Sequence, residues 1–274
     1  MSKYITHFQT EAEYQSALPT LDLPNVSLVD ELGEVHYHRA LYGAHAGDIA
    51  LYDVAEAQKI VVTAEDWNLT TYPTASYPIV GVVVADESAA GCKVMATLYV
   101  DSDGSLTSTS KKYKWQNNSF DWGLTKYTTF ETAVTDMNGK ANTAAIIAAI
   151  KAYDLAHSTD NITGNLGDVI QKMHTFGTVA GDWYIPSLGE QNVIFNNKTA
   201  ISDTLTKIKN ADSNLAVGFD SFSGFYNYSK SSTEVHSSNN WVGLFTNSTF
   251  DANRSVMGAD KTSNTPGIFT LAII

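Results

Sequence analysis

Ser231, Ser232, Glu234 and His236 put every residue type of a hydrolytic triad within six positions of one another. Triads are assembled from distant loops around a strained nucleophile turn with oxyanion donors, and no Gly-x-Ser-x-Gly surrounds these serines. His36 and His38 alternate along an extended segment and so share a face, where Glu34 and His45 could help them hold a metal. With no cysteine nearby, solvent-facing or intersubunit histidines are the simpler reading. Asp101-Ser102-Asp103-Gly104-Ser105 starts like a calcium loop, but Leu106 and Lys112 stand where such a loop needs glycine and glutamate, so a hairpin turn is expected. Gly139-Lys140 lacks the spaced glycine of a phosphate loop. The chemistry-bearing residues therefore predict no catalytic residue, no metal and no cofactor. What remains is a contact surface: Tyr226, Tyr228, Asn239 and Asn240 combine rings with amides, the mixture that binds glycans and protein partners. These four are expected to be exposed and ligand-binding, whereas Trp183, Phe225 and Trp241 are expected in the core.

Such residues need elements to hold them, and the clearest lies at Gly181-Asp182-Trp183-Tyr184-Ile185-Pro186-Ser187-Leu188-Gly189-Glu190. Trp183 to Ile185 read as a short buried strand that Pro186 ends, since proline has no N–H to donate. Ser187 with Glu190 three residues on is a capping box, so a helix should begin at Leu188. Its apolar positions Leu188, Val193, Ile194 and, after a break near Lys198, Ile201, Leu205 and Ile208 recur at helical spacing. An earlier helix, capped by Asn142, carries Ile146, Ile147, Ile150, Tyr153 and Asp154 on one face. Val169, Ile170 and Met173 mark a short connecting helix. Strands are expected over 48–54, 59–64, 77–86 and 92–101, then 215–219, 224–228, 241–246 and 268–274.

The run from Gly181 to Glu190, followed by Lys230-Ser231-Ser232-Thr233-Glu234 and Ser238-Asn239-Asn240-Trp241, resembles the C-type-lectin-like modules found in proteins of Bacteroides and their phages. In those modules a Trp-Leu-Pro-Ser-x-Gly-Glu segment precedes Trp-Ser-Ser-Thr-Glu and an Ala-Trp strand. Lys230 replaces the tryptophan here and Asn240 the alanine. The resemblance covers roughly residues 106 to 274 and implies that Ser-Ser-Thr-Glu is a structural turn. Neither the tripeptide motifs of calcium-dependent lectins nor the cysteine of the formylglycine-generating relatives of this fold is present in that part. Further upstream, Leu23-Pro24-Asn25-Val26-Ser27-Leu28, Val35-His36-Tyr37, Gly47-Asp48-Ile49-Ala50-Leu51-Tyr52-Asp53 and Ile79-Val80-Gly81-Val82-Val83-Val84 are similar to the amino-terminal part of head-fibre and other virion proteins of crAss-like and related Bacteroides phages. The resemblance implies a structural virion protein on the capsid surface, a head fibre or capsid decoration, non-enzymatic and homotrimeric, with a lectin-like tip that meets a host surface or glycan. Its other reading is a carbohydrate-binding or adhesive surface module of a Bacteroides cell.

The expected fold class is α+β in three pieces: an extended attachment arm over 1–45, a small β domain over 46–104, and a C-type-lectin-like domain over 105–274 in which two helices frame a twisted antiparallel sheet. Within the arm, Asn25, Val26, Ser27, Leu28, Val35 and Tyr37 form short edge-like strands able to add to a sheet of a capsid protein. The net charge of −12, from 17 Lys and Arg against 29 Asp and Glu, disfavours nucleic acid as a partner. Charged residues make up 17 %, below the usual quarter or so, which leaves contacts to hydroxyls, amides and rings. Cys92 is the single cysteine, so packing rather than disulfides must hold the fold. The most apolar windows, 79–85 and 144–150, are far shorter than the ~20 residues that span a bilayer, and 1–8 lacks the pattern of an export signal. No membrane insertion is expected.

Overall fold

Alternation along four strands decides the architecture. The structure, a computed structural model, describes residues 28–29, 35–36, 44–86, 92–109, 111–216, 227–236, 239–245, 259–262, 265–266 and 271–273. Strands β3 (Ile49–Asp53), β4 (Gln58–Val62), β5 (Ile79–Val83) and β6 (Lys93–Met95) join the last described strand, β14 (Leu271–Ile273), in one antiparallel sheet of order β14-β6-β5-β3-β4. Successive side chains point to opposite faces, and here both faces are apolar. Ala50, Val61, Val83 and Val94 enter one cluster, and Ile49, Leu51, Ile60, Val62, Val82 and Met95 the other.

Helices cover both faces. On the first lie Ile146 and Ile150 of α2 (Gly139–His157) and Leu166, Val169 and Ile170 of α3 (Leu166–Lys172). On the second lie Ile194 of α4 (Leu188–Asn196) and Ile201, Leu205 and Ile208 of α5 (Lys198–Ala211). Each fully buried aliphatic side chain is worth roughly 1.5–3 kcal/mol, so these two interfaces are the main source of stability. Together with the one-turn helix α1 (Phe130–Ala133), the described residues form a mixed α+β structure with five helices. Both cores draw on residues from either side of position 105: Val94 and Ile150 belong to one cluster, Leu51 and Leu205 to the other, and β14 pairs with β6. A sheet buried on both sides needs helices on both sides, and the second half of the chain supplies them.

Several local expectations are met and others shift. The capping box starts α4 at Leu188, and Asn197 makes the break before α5 while its amide donates to the carbonyls of Val84 and Val193. Asp101 to Ser105 turn the hairpin between β7 (Tyr99–Val100) and β8 (Leu106–Thr107). The single strand expected over 92–101 is thus two, β6 and β7. Trp183, Tyr184 and Ile185 are buried, but among them only Tyr184 makes a bridge. Leu215 lies in a turn, and 217–219 fall outside the described residues. Helix α2 begins three residues before Asn142, with Asn138 at its cap, because Asn142 gives its amide to Asp136 instead.

A second sheet runs β10 (Asn227–His236), β11 (Asn239–Phe245) and β12 (Ala259–Asp260). A short pair joins β9 (Lys112–Tyr113) to β13 (Thr265–Pro266). The strands β1 (Leu28–Val29) and β2 (Val35–His36) pair with each other, and among the described residues that hairpin joins no other sheet.

Candidate functional site

The two motifs that carried the resemblance meet in space. Ser187 accepts from the Glu190 backbone N–H through Oγ (3.4 Å), and Glu190 Oε2 accepts in return from the Ser187 N–H (2.9 Å), closing the capping box. Ser232 N donates to Pro186 O at 3.1 Å, Leu188 N to Thr233 Oγ1 at 2.9 Å, and Gln191 Nε2 to Lys230 O at 2.9 Å. Ser231 to Glu234, which the resemblance implied to be a turn, lie instead with Lys230 in the buried middle of β10, with register shifts on either side of Glu234. A run of polar residues reads as a turn until distant partners satisfy it, and here α4 and the chain before α2 do so.

Asp136 completes this knot. Its Oδ2 accepts from Thr233 Oγ1 (2.7 Å) and Asn142 Nδ2 (2.8 Å), its Oδ1 from Asn138 N (3.1 Å), and its carbonyl from Ser187 Oγ (2.6 Å). Glu190, 3 % exposed, also takes Lys93 Nζ and the Tyr184 hydroxyl on Oε1, each at 3.1 Å. Approach here is so close that a Cβ on Gly189 would lie 2.6 Å from Val134 O, and one on Gly139 would lie 2.7 Å from Ser187 N. Both positions require glycine for space.

A second buried cluster sits on the same strand. Glu234 and Lys261 are both 0 % exposed and meet at 2.5 Å. Glu234 also accepts from the backbone N–H groups of Trp122 and Leu124, both at 3.0 Å, while Lys261 Nζ donates to Phe120 O and lies 3.9 Å from the Trp122 ring centre. Burial holds the Lys261 amine below its ordinary pKa against the opposing pull of Glu234. Trp122 Nε1 donates to Gln116 Oε1 at 2.7 Å. The segment from Trp115 to Tyr127, for which the sequence offered no strand assignment, is thus fastened to β10 by one carboxylate and one amine.

These contacts decide what the triad residues can do. Ser231, Ser232 and Glu234 are fully buried, His236 is exposed, and the carboxylate that would orient a histidine is held by Lys261 and two amides. Ser231 Oγ accepts from Thr233 N at 2.9 Å, while Ser232 Oγ has no hydrogen-bond partner among the described residues. Among the described residues no group of three or more His, Cys, Asp or Glu is arranged to hold a metal, and no helix is long and apolar enough to cross a membrane. An open depression of about 390 Å³ lies between the start of β3 and α5, bordered by Asp48, Glu65, Asp203 and Lys207. Lys207 is already bonded to the carbonyls of Ala64 and Glu65.

Of the residues expected at a ligand surface, Asn240 is corrected: it is fully buried, and its amide donates to Ser231 O at 3.1 Å. Asn239 is half-buried at the start of β11, and Tyr228 lies on β10. Tyr226 falls outside the described residues, as do Asn25, Val26, Ser27, Tyr37, Phe225 and His38. Leu28 and Val35 lie in the β1–β2 hairpin, paired with His36 and Val29 rather than with a separate sheet. Asp136 and Lys261 were not foreseen. Only Asp136, two residues before an Asn-Gly pair, carried a local signal, that of a turn. No family model, curated protein or solved structure matches this chain.

Proposed function

We propose that this chain is a non-enzymatic virion protein, a head fibre or capsid decoration, with a C-type-lectin-like domain displayed on a scaffold that residues before Ala44 attach to the particle. The observation that carries this reading is the knot itself. Pro-Ser-Leu-Gly-Glu and Ser-Ser-Thr-Glu, the segments that resemble the lectin-like modules, bond directly to each other across the start of α4. Thr233, Asp136, Ser187 and Glu190 are bonded into one network there, and Glu234 is held by Lys261 and two backbone amides, which suits a display scaffold. That the β1–β2 pair joins no other sheet among the described residues supports the attachment role, because two strands alone are marginal in water and gain stability by joining a partner's sheet. By resemblance the assembly is a homotrimer on the capsid surface, its tip meeting a host surface or glycan.

The test is deletion of residues 1–43, cut just before the buried Ala44. The truncated protein is expected to fold with unchanged circular dichroism and melting behaviour yet to be missing from purified particles. Incorporation at the full-length level overturns the attachment role.

A further inference from the structure

Asn138 and Gly139 form the one Asn-Gly pair of the chain, and they stand at the start of α2, against the knot. Asn138 is exposed and occupies the cap position, yet its side chain caps no backbone N–H of the helix. Its Nδ2 donates to Asp136 Oδ1 at a long 3.3 Å. Gly139 is the opposite case: it is buried, and a Cβ there would press on Ser187 N, the Tyr184 ring and Glu190 Oε2. An exposed carboxamide thus adjoins a backbone nitrogen that the knot holds in place.

We infer that Asn138 is a deamidation site that the folded knot keeps silent, released when the start of α2 lifts away and irreversible once it has reacted. In the reaction the Gly139 nitrogen gives its proton to solvent and attacks Asn138 Cγ. The Cγ–Nδ2 bond then breaks, and Nδ2 takes up a proton and leaves as ammonia, which closes a five-membered succinimide. Water opens that ring, at Cγ to give aspartate or at the Asn138 carbonyl carbon to give isoaspartate. A carboxamide and a water thus become a carboxylic acid and ammonia, with no change of oxidation state. Glycine favours the attack because no side chain shields its nitrogen and its backbone turns freely.

The folded geometry forbids ring closure. Closure needs the Gly139 nitrogen on the same side of the Cα–C bond as Cβ, whereas a ψ of 32° at Asn138 puts it nearly opposite. Turning that bond breaks the first hydrogen bond of the helix, Asn142 N to Asn138 O at 2.8 Å, and pulls Gly139 out of its slot between Ser187, Tyr184 and Glu190. The reaction therefore proceeds through openings of the knot, and its rate reports how often they occur. Irreversibility follows from the same lack of space. Isoaspartate lengthens the main chain by one carbon directly before Gly139, and aspartate puts a carboxylate where an amide donated to the buried Asp136.

Peptide mapping by mass tests this on the full chain, aged either folded in buffer or unfolded in guanidinium chloride. The unfolded chain is expected to convert Asn138 to a mixture of aspartate and isoaspartate, and the folded chain to do so at least about tenfold more slowly. Ser187→Ala, which loosens the knot and leaves Asn138 intact, should speed conversion of the folded protein roughly tenfold with the unfolded rate unchanged. Chain aged unfolded and returned to buffer should refold only to the extent that Asn138 is unconverted, while Asn138→Ser treated alike refolds fully. Equal rates in the folded and unfolded chain overturn the protection, and an unconverted Asn138 in the unfolded chain overturns the site. A Ser187→Ala rate equal to wild type overturns the knot as the gate. Full refolding of converted chain, or an equal loss of refolding in Asn138→Ser, overturns the irreversible step at Asn138.

Discussion

Thr233 Oγ1 donates to Asp136 Oδ2 at 2.7 Å across 97 positions of sequence, and the same hydroxyl accepts from Leu188 N. One threonine therefore ties the turn before α2, the first residue of α4 and the middle of β10. Because all three donors and acceptors are buried, each would cost about 1–3 kcal/mol if left unpaired. The knot consequently fixes one arrangement of these segments.

Two serines on opposite sides of that knot should respond in opposite ways. Ser187→Ala loses the α4 cap and is expected to lower stability by about 1–2 kcal/mol; Asp136 O stays satisfied by Gly189 N. Ser232→Ala removes a buried hydroxyl that has no partner among the described residues, so its stability should be unchanged or higher by ~1 kcal/mol. Urea denaturation midpoints measure both. A loss of more than about 1 kcal/mol in Ser232→Ala would mean that its hydroxyl is bonded after all.

Gly189→Ala sets helix propensity against space. Alanine favours a helix by ~1 kcal/mol over glycine, but its Cβ would press on the carbonyls of Asp136 and Val134, which are backbone and cannot rotate away. Overpacking of this kind costs about 1–3 kcal/mol, so a net loss in melting temperature is expected. A higher melting temperature would show that α4 can slide away from the turn before α2.

How much of this was legible in the sequence depends on how far each residue's partner lies. The capping box of Ser187 and Glu190 closes over three positions, and the break at Asn197 interrupts a helical stripe, so both could be read locally. The hairpin at Asp101 follows the same logic. Asn142 was misread as a cap because its amide goes to Asp136, a residue whose own partners come from Asn138, Ser187 and Thr233. Lys261 gave no signal, since nothing near it in sequence announces that its amine is buried against Glu234. Asn240 looked like a surface amide for the same reason, yet it is buried with its amide donating to Ser231 O.

Tyr113 gives the alkaline behaviour a definite sign. Burial, with help from Asp101 and Asp103, raises its phenol to about 12 from the ordinary value of 10.0, and its hydroxyl donates to Val100 O at 3.1 Å. A raised folded-state pKa stabilises the fold fully below pH 10 and loses that contribution as pH rises from 10 toward 12, where the unfolded chain ionises first. Stability measured across that window should fall with pH in the wild type and fall less steeply in Tyr113→Phe. Equal slopes would mean that Tyr113 ionises as freely in the folded state as in the unfolded chain.

The central claim is that this protein is a display element of a virus particle, and a reconstruction of purified particles carrying it tests that claim most directly. The expected map shows a body the size of residues 44–273 projecting from the capsid surface in three symmetry-related copies, joined to the shell through the chain before Ala44. Particles of full infectivity whose map and protein content lack this chain would contradict it.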